Sequence, residues 1–277
     1  MALVQASIFS KSLMRTVTIW AVIPSDKMDF EGKSMREEKP FKTLYLLHGI
    51  FGDHTDWVSG TRIARWAQDA NLAVIMPAGE NLFYLDNPNN GEKFGEFIGQ
   101  ELIDLTRKLF PLSRKREDTF IAGLSMGGYG AIRNGLKYHE NFGAIAGLSS
   151  ALILDGAVNS TENLQAPYTF RTSYYRSIFG DLDQLKGSDK DPAALVRQLK
   201  AEGAEFPAMY LCCGTDDSLL EANREFHKVL VEEGVDVTYE EGPGAHEWDF
   251  WDRYIKRVLE WLPLEDKCEG VSSGNVM

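Results

Sequence analysis

One short run restricts the fold of this chain more than any other feature, and it reads Gly123-Leu124-Ser125-Met126-Gly127. It follows an apolar segment, residues 119–124, and leads into residues 126–137, which have helical spacing and several small side chains. The G-x-S-x-G pattern is typical of a tight strand-to-helix turn that projects a serine hydroxyl outward, with small neighbours that let strand and helix approach closely. Such a pattern also arises by chance in Gly-rich turns of unrelated α/β proteins. Because strand, turn and helix are all predicted here, we interpret Ser125 as a nucleophile.

The rest of the chain alternates between short apolar runs and longer segments with helical periodicity. Runs of four to seven apolar residues bounded by Gly, Pro or Asp are typical of strands buried on both faces. Their alternation with helices predicts a mostly parallel central sheet that helices cover on both faces. The predicted strands are residues 15–24, 43–47, 72–76, 119–124, 142–148, 208–213 and 235–239, and the predicted helices are residues 97–110, 126–137, 219–233 and 248–262.

Residues 149–206 interrupt this alternation. A structureless loop of that length is unusual in a compact domain, so we predict a mainly helical insertion near the active site. It is interpreted either as a lid or pocket wall, or as a packed excursion without contact to substrate. We expect residues 1–265 to form a single domain and residues 266–277 to form a flexible C-terminal tail. Residues 26–40, which are charged and poor in apolar side chains, are predicted to be a loop.

A serine nucleophile needs a base, and in this strand-helix arrangement the chain order is Ser, then Asp or Glu, then His. His139 follows Ser125 too soon, and His227 lies in the middle of a predicted helix. His246 instead follows the last predicted strand, in a glycine-rich loop that opens the last helix. Since such loops lie at the carboxyl edge of the sheet, His246 is the predicted general base.

The acid that orients the histidine is expected in the loop after residues 208–213. That loop contains Asp216 and Asp217, and the sequence leaves both possible. We favour Asp217, because a strand-Gly-x-x-Asp pattern leaves Asp216 to form the turn or cap the following helix.

Acyl transfer also needs N–H donors for an oxyanion. Met126, directly after the serine, is expected to supply one, and the loop after residues 43–47 to supply the other, with Ile50 preferred and Phe51 next. Three aromatic residues are weaker candidates for substrate contact: Phe51, Trp57, which could equally pack under the loop, and Tyr84, which could equally be a packed aromatic. His48 in the same loop is interpreted as structural.

Composition excludes several classes of function. The net charge is −12, from 29 basic and 41 acidic residues, which disfavours nucleic acid as a partner. No apolar run approaches the ~20 residues that span a bilayer, so no membrane association is expected. The three cysteines lack CxxC spacing, which disfavours a metal site, and their small number is typical of a reducing compartment. A cytoplasmic location is the resulting expectation.

Four motifs together resemble the esterase D family of α/β-hydrolases, and within it the bacterial tributyrin-esterase type of short-chain carboxylesterase. They are residues 46–57 (LLHGIFGDHTDW), 123–130 (GLSMGGYG), 213–217 (CGTDD) and 242–248 (GPGAHEW). The likeness extends over residues 15–262. It implies the α/β-hydrolase fold, a Ser-His-Asp triad without a cofactor, a small-molecule ester with a small acyl group as substrate, and a possible homo-oligomer.

The predicted function is hydrolysis of short-chain acyl esters through an acyl-serine intermediate. Alternatives are an acetyl or feruloyl esterase acting on plant carbohydrate, a thioesterase similar to S-formylglutathione hydrolases, an acyltransferase, and a binding module that kept the fold. The S-formylglutathione hydrolases usually carry a Cys-containing loop where this chain has Ile50-Phe51-Gly52, which disfavours the thioesterase. A binding module would be expected to lose a triad residue, and all three are present.

Overall fold

A computed structural model describes residues 1–28, 31, 39–87 and 90–264 of the chain. Its central element is an eight-stranded sheet in the order β1-β2-β4-β3-β5-β6-β7-β8. The pairs β1/β2 and β2/β4 are antiparallel, and all the other neighbours are parallel. The predicted mostly parallel α/β sheet is therefore confirmed.

The strands are β1 (Ala2–Ser10), β2 (Arg15–Ile23), β3 (Lys42–Leu47), β4 (Leu72–Pro77), β5 (Thr119–Leu124), β6 (Ala144–Leu148), β7 (Ala208–Gly214) and β8 (Val237–Gly242). The helices are α1 (Asp56–Gly60), α2 (Ile63–Asp69), α3 (Phe94–Glu96), a π-helical turn (Phe97–Glu101), α4 (Leu102–Leu109), α5 (Met126–Lys137), α6 (Leu154–Val158), α7 (Thr172–Phe179), α8 (Pro192–Glu202), α9 (Leu220–Glu232) and α10 (Trp248–Trp261). Within the described ranges, none of these helices combines the length and the apolar character needed to cross a membrane.

Two hydrophobic cores cover the two faces of the sheet, because successive strand residues point to opposite faces. In β3, Leu44 and Leu46 face a core that contains apolar residues of α1, α2 and α10. Tyr45 and Leu47 face the other core, which contains apolar residues of α4, α5, α8 and α9. This two-sided burial explains why the parallel strands appear as continuous apolar runs in the sequence.

Glycines allow α5 to pack closely against the strands at the start of the helix. A Cβ added at Gly123 would lie 2.3 Å from the Gly127 carbonyl oxygen, and one added at Gly127 would lie 2.4 Å from the Leu47 carbonyl oxygen. Real Cβ atoms do not approach backbone oxygens so closely, so no larger residue fits without a shift of the backbone. The glycines of the motif therefore serve the strand-to-helix turn that places Ser125.

The structure differs from the predicted elements in several places, among them β6, which begins at Ala144 and not at residue 142, and the helices α1 and α2, which were not predicted. The strand β1 was not predicted, although it pairs with β2 along its whole length, from Ala2 opposite Ile23 to Ser10 opposite Arg15. The last strand is Val237–Gly242, later than the predicted residues 235–239. The helix predicted at residue 97 begins at Phe94 and contains the π-helical turn. Most of the loop predicted at residues 26–40, and the tail predicted at residues 266–277, lie outside the described residues.

Residues 149–206 contain α6, α7 and α8 and two short 3₁₀ turns, so the regular secondary structure of the insertion is helical, as predicted, and loops and turns connect these helices. Its second half is attached to the helix that follows Ser125. The Arg133 guanidinium, only 1% exposed, makes an ion pair with Asp189, and the Tyr129 hydroxyl donates to the Lys190 carbonyl oxygen at 2.6 Å. This part of the insertion is held to α5 by polar contacts from buried side chains of that helix. A lid function for the insertion stays a prediction.

Candidate active site

Three side chains from separate parts of the chain meet at the carboxyl edge of the sheet. Ser125 follows β5, Asp217 lies in the loop after β7, and His246 lies in the loop between β8 and α10. The His246 Nε2 atom is 2.9 Å from the Ser125 Oγ atom, and its Nδ1 atom is 2.9 Å from Asp217 Oδ2. With Nδ1 protonated toward the carboxylate, Nε2 is free to accept the serine proton. The structure thus brings together the serine, the histidine and the favoured aspartate.

The Asp217 side chain is fully buried, whereas the His246 side chain is 34% exposed. Burial alone would raise the pKa of Asp217, but hydrogen bonds from His246 and the Leu219 N–H outweigh it and hold that pKa below its ordinary value. The carboxylate therefore stays ionised beside the imidazole. Asp216 is exposed, and its backbone N–H donates to the Gly244 carbonyl oxygen, which leaves it in the turn as expected.

Ser125 has φ 52° and ψ −117°, a conformation that non-glycine residues rarely adopt. The strain is offset by its surroundings, since its N–H donates to the Leu148 carbonyl oxygen and its own carbonyl accepts from Tyr129 and Ala151. The hydroxyl lies at the edge of the sheet with the residue 5% exposed. Non-glycine residues in strained conformations concentrate at functional sites.

Two backbone N–H groups near Ser125 are available for an oxyanion. Within the described part of the chain, the N–H groups of Ile50 and Met126 donate to no protein acceptor. Gly49, which directly precedes Ile50, lies against the serine, since a Cβ added at Gly49 would be 3.5 Å from the Ser125 Cβ. The Phe51 N–H, the second choice from sequence, instead donates to Asn81 Oδ1 at 2.7 Å. This arrangement favours Ile50 over Phe51.

The three aromatic candidates differ in position. The Phe51 side chain is 77% exposed, with the residue at φ 68°. Trp57 is 1% exposed, and its indole N–H donates to the Leu47 carbonyl oxygen at 2.9 Å, so it packs beneath the loop. Tyr84 is fully buried, and its hydroxyl donates to the His48 carbonyl oxygen at 2.9 Å. Trp57 and Tyr84 are thus buried against the backbone of Leu47 and His48, and these contacts favour a packing role for each over contact with substrate.

His48 joins two loops at the edge of the sheet. Its Nδ1–H donates to the Gly49 carbonyl oxygen at 2.7 Å, and its Nε2 accepts the Gly79 N–H at 2.9 Å. Burial lowers the pKa of His48, which favours the neutral ring, and the Gly79 N–H fixes the tautomer because Nε2 has to accept it. Its structural interpretation fits these contacts.

Sequence reasoning missed three residues around the site. Asn81 holds the loop through the Phe51 N–H, the Trp251 ring stands edge-on to His246 with 4.9 Å between ring centroids, and the Ser149 hydroxyl accepts the Trp251 indole N–H at 3.2 Å. Trp251 lies on the buried face of α10, where an aromatic residue is typical of the core and gives no separate signal of a site. A usable signal for Ser149 was its place directly after a buried strand, at the same edge as Ser125. Among the described residues, no group of three or more His, Cys, Asp or Glu side chains is arranged to hold a metal ion.

A parallel sheet with a serine at a strand-to-helix turn and a histidine in reach of its hydroxyl is the arrangement of serine hydrolases with the α/β-hydrolase fold. Comparison with known proteins agrees. The family described as putative esterase matches residues 10–262. An acetyl esterase of Caldicellulosiruptor saccharolyticus is 49% identical over 265 residues, which cover 95% of this chain and 98% of that protein.

Two solved structures from Staphylococcus aureus are also similar. The S-formylglutathione hydrolase FrmB has a TM-score of 0.80 at 32% identity, over 94% of this chain and 98% of that one. The fluorophosphonate-binding serine hydrolase FphF has a TM-score of 0.82 at 33% identity, with the same coverage. This chain therefore belongs to the esterase family, and it is a serine carboxylesterase.

Proposed function

We propose that this protein hydrolyses acetyl and other short-chain carboxylic esters through an acyl-Ser125 intermediate. The observation that carries the proposal is the continuous pair of 2.9 Å contacts from Asp217 through His246 to Ser125. The acetyl esterase at 49% identity supports a small acyl group.

In the first half of the reaction, the Ser125 oxygen attacks the ester carbonyl carbon while its proton passes to His246 Nε2. The carbonyl oxygen becomes an oxyanion that accepts hydrogen bonds from the N–H groups of Ile50 and Met126. Each such donor lowers the activation barrier by about 3 to 4 kcal/mol. The alcohol then leaves with the proton from His246. In the second half, His246 takes a proton from water, hydroxide attacks the acyl carbon, and the carboxylic acid is released as Ser125 regains its proton.

Asp217 remains ionised throughout. Its carboxylate keeps the proton on Nδ1 of His246 and stabilises the imidazolium that forms in each half of the reaction. The low pKa of the carboxyl supports this role, since a protonated Asp217 would offer a weaker acceptor.

The test combines turnover with labelling. Nitrophenyl esters of increasing acyl length are assayed with the wild type, with Ser125→Ala and with Ser150→Ala as the matched control, since Ser150 is an equally buried serine. We expect the highest kcat/KM for acetate to butyrate, and one fluorophosphonate adduct at Ser125. Loss of a triad serine lowers kcat by about 10⁶-fold in a comparable hydrolase, whereas the control should match the wild type. A folded wild type that takes up no fluorophosphonate at Ser125 contradicts the proposal.

A thioester is the second candidate substrate, because a structure at 32% identity is an S-formylglutathione hydrolase. Parallel assays with S-formylglutathione and with nitrophenyl acetate separate the two. We expect the oxygen ester to give the higher kcat/KM, and the reverse ranking would assign the thioester.

For the location we propose the cytoplasm, because Cys212 and Cys213 are free thiols in the buried sheet. Fractionation of cells that produce the protein, followed by fluorophosphonate labelling, tests this. A labelled band outside the cytoplasmic fraction would contradict it.

A further inference from the structure

The loop after β3 turns sharply beside Ser125. The Gly52 N–H donates to the Gly49 carbonyl oxygen at 3.3 Å, so residues 49–52 form a four-residue turn with Phe51 in its third position. Phe51 has φ 68°, in the left-handed region where glycine or asparagine is favoured at this place in a turn. Its N–H donates to Asn81 Oδ1 at 2.7 Å, which holds the strained residue in place. The backbone of the turn therefore gives no reason for a bulky residue at position 51.

The packing of the loop gives no such reason either. The Ile50 side chain packs against the hydrophobic core, whereas the Phe51 side chain lies on the outside and is 77% exposed. A glycine at position 51 would relieve the backbone strain and would remove apolar surface from contact with water. Strained residues that the fold itself does not require concentrate at ligand-binding and catalytic sites.

Phe51 lies next to the reacting centre. The N–H of the preceding residue, Ile50, is one of the two proposed oxyanion donors, and a Cβ added at Gly49 would be 3.5 Å from the Ser125 Cβ. Successive Cα atoms are about 3.8 Å apart. An ester whose carbonyl oxygen binds the Ile50 N–H is therefore within reach of the Phe51 ring.

The exposure of the ring indicates which portion of the ester it meets. The alcohol leaves in the first half of the reaction, while the acyl group is still bound to Ser125, so the alcohol portion has to face the solvent. A short acyl group occupies little space beside Ser125. The portion of the ester that extends outward to an exposed ring is therefore the alcohol.

We propose that the Phe51 ring binds the alcohol portion of the ester and selects alcohols that carry a flat apolar ring. Two such rings bury more surface and pair more favourably than a ring and a methyl group. The inference rests on the proposed function, since it concerns the substrate of the same site. The ring contacts the ester both in the bound state and in the transition state, so it raises kcat/KM and leaves kcat unchanged.

Two variants and a matched control test the role of the ring. Phe51→Gly removes the ring, and Phe51→Tyr keeps one. Met14→Gly is the control, because Met14 is also an exposed apolar residue in the left-handed region, with φ 52°, in the turn between β1 and β2. Two strands separate β2 from β5, which leads to Ser125. Both glycine substitutions relieve strain, so both variants should melt close to the wild type, and unfolding would not explain a loss of activity.

Four esters separate the two portions of the substrate. Phenyl acetate and methyl acetate share the acyl group, whereas nitrophenyl acetate and nitrophenyl butyrate share the alcohol. We expect Phe51→Gly to lower kcat/KM for phenyl acetate by about three- to tenfold and for methyl acetate by less than about twofold, with kcat nearly unchanged for both. The ratio of kcat/KM for nitrophenyl acetate and nitrophenyl butyrate should stay as in the wild type. Phe51→Tyr and Met14→Gly should match the wild type on all four esters.

Three results would overturn the role of Phe51. They are equal losses for methyl and phenyl acetate, which would indicate a disturbed oxyanion donor, a changed preference for acyl length, and an unchanged kcat/KM for phenyl acetate. With an active wild type, each of them overturns this role alone. A wild type that hydrolyses none of the four esters and takes up no fluorophosphonate at Ser125 overturns the proposed function as well.

Discussion

Replacing Asp217 by asparagine tests the orientation of the histidine with the smallest possible change of shape. Two donors meet the Asp217 carboxylate, one on each oxygen: His246 Nδ1–H lies 2.9 Å from Oδ2, and the Leu219 N–H lies 2.9 Å from Oδ1. An amide has only one acceptor oxygen, so its NH₂ group must face one of these donors.

If the NH₂ group faces Leu219, a backbone N–H that cannot reverse loses its acceptor, at a cost of about 1 to 3 kcal/mol. If it faces His246, the ring adapts by moving its proton from Nδ1 to Nε2, which is the cheaper solution. The substitution therefore selects the tautomer that donates to Ser125 and cannot accept its proton. In a serine protease the equivalent change lowers kcat by about 10⁴-fold, which corresponds to about 5.4 kcal/mol.

The assay is kcat for nitrophenyl acetate, with the Asp217→Asn and Asp216→Asn variants measured side by side. Because Asp216 is exposed and makes the turn only through its backbone, its variant should stay within about twofold of the wild type, the scatter expected of a neutral surface change. Equal losses in the two variants, or a larger loss for Asp216→Asn, would refute the assignment of the triad acid.

Three further predictions concern the scaffold. Gly127→Ala should lower the free energy of unfolding by about 1 to 3 kcal/mol in urea titrations, because the new Cβ meets the Leu47 carbonyl; an unchanged midpoint would contradict this close approach. Trp57→Phe should cost about 1 to 2 kcal/mol of stability without changing the acyl-length preference, since the residue packs under the loop; a shifted preference would make it a pocket wall. Burial alone would raise the pKa of Glu101, but hydrogen bonds from Ser10 and the next two residues hold that pKa below its ordinary value. The ionised Glu101 carboxylate therefore contributes to the free energy of unfolding above about pH 4.5, and this contribution is lost as the pH falls. Glu101→Gln should therefore be less stable than wild type at pH 7 in urea titrations, and this difference should narrow as the pH is lowered below about 4.5; a difference that stays constant or widens would contradict the linkage.

Local sequence patterns predicted much of the fold. Strands buried on both faces require apolar runs, and the turn at Ser125 requires small residues at fixed positions. Both features can therefore be recognised in short continuous stretches of the sequence. The strand β1 was not predicted because it lies at the edge of the sheet, where Gln5 and Ser7 are exposed, and because its stability comes from pairing with β2.

The sequence alone determined the residue types that the reaction needs, because each belongs to a local pattern. They are a serine at a strained turn, followed by an aspartate and a histidine in loops after strands. The tertiary structure brought Asp217, and not Asp216, within hydrogen-bond distance of His246, and it buried Trp57 and Tyr84. These outcomes depend on which strands are neighbours: His246 meets Ser125 across 121 residues only because β7 and β8 extend the same parallel edge. Contacts between distant segments leave no periodic signal in either one, so only the folded chain reveals them.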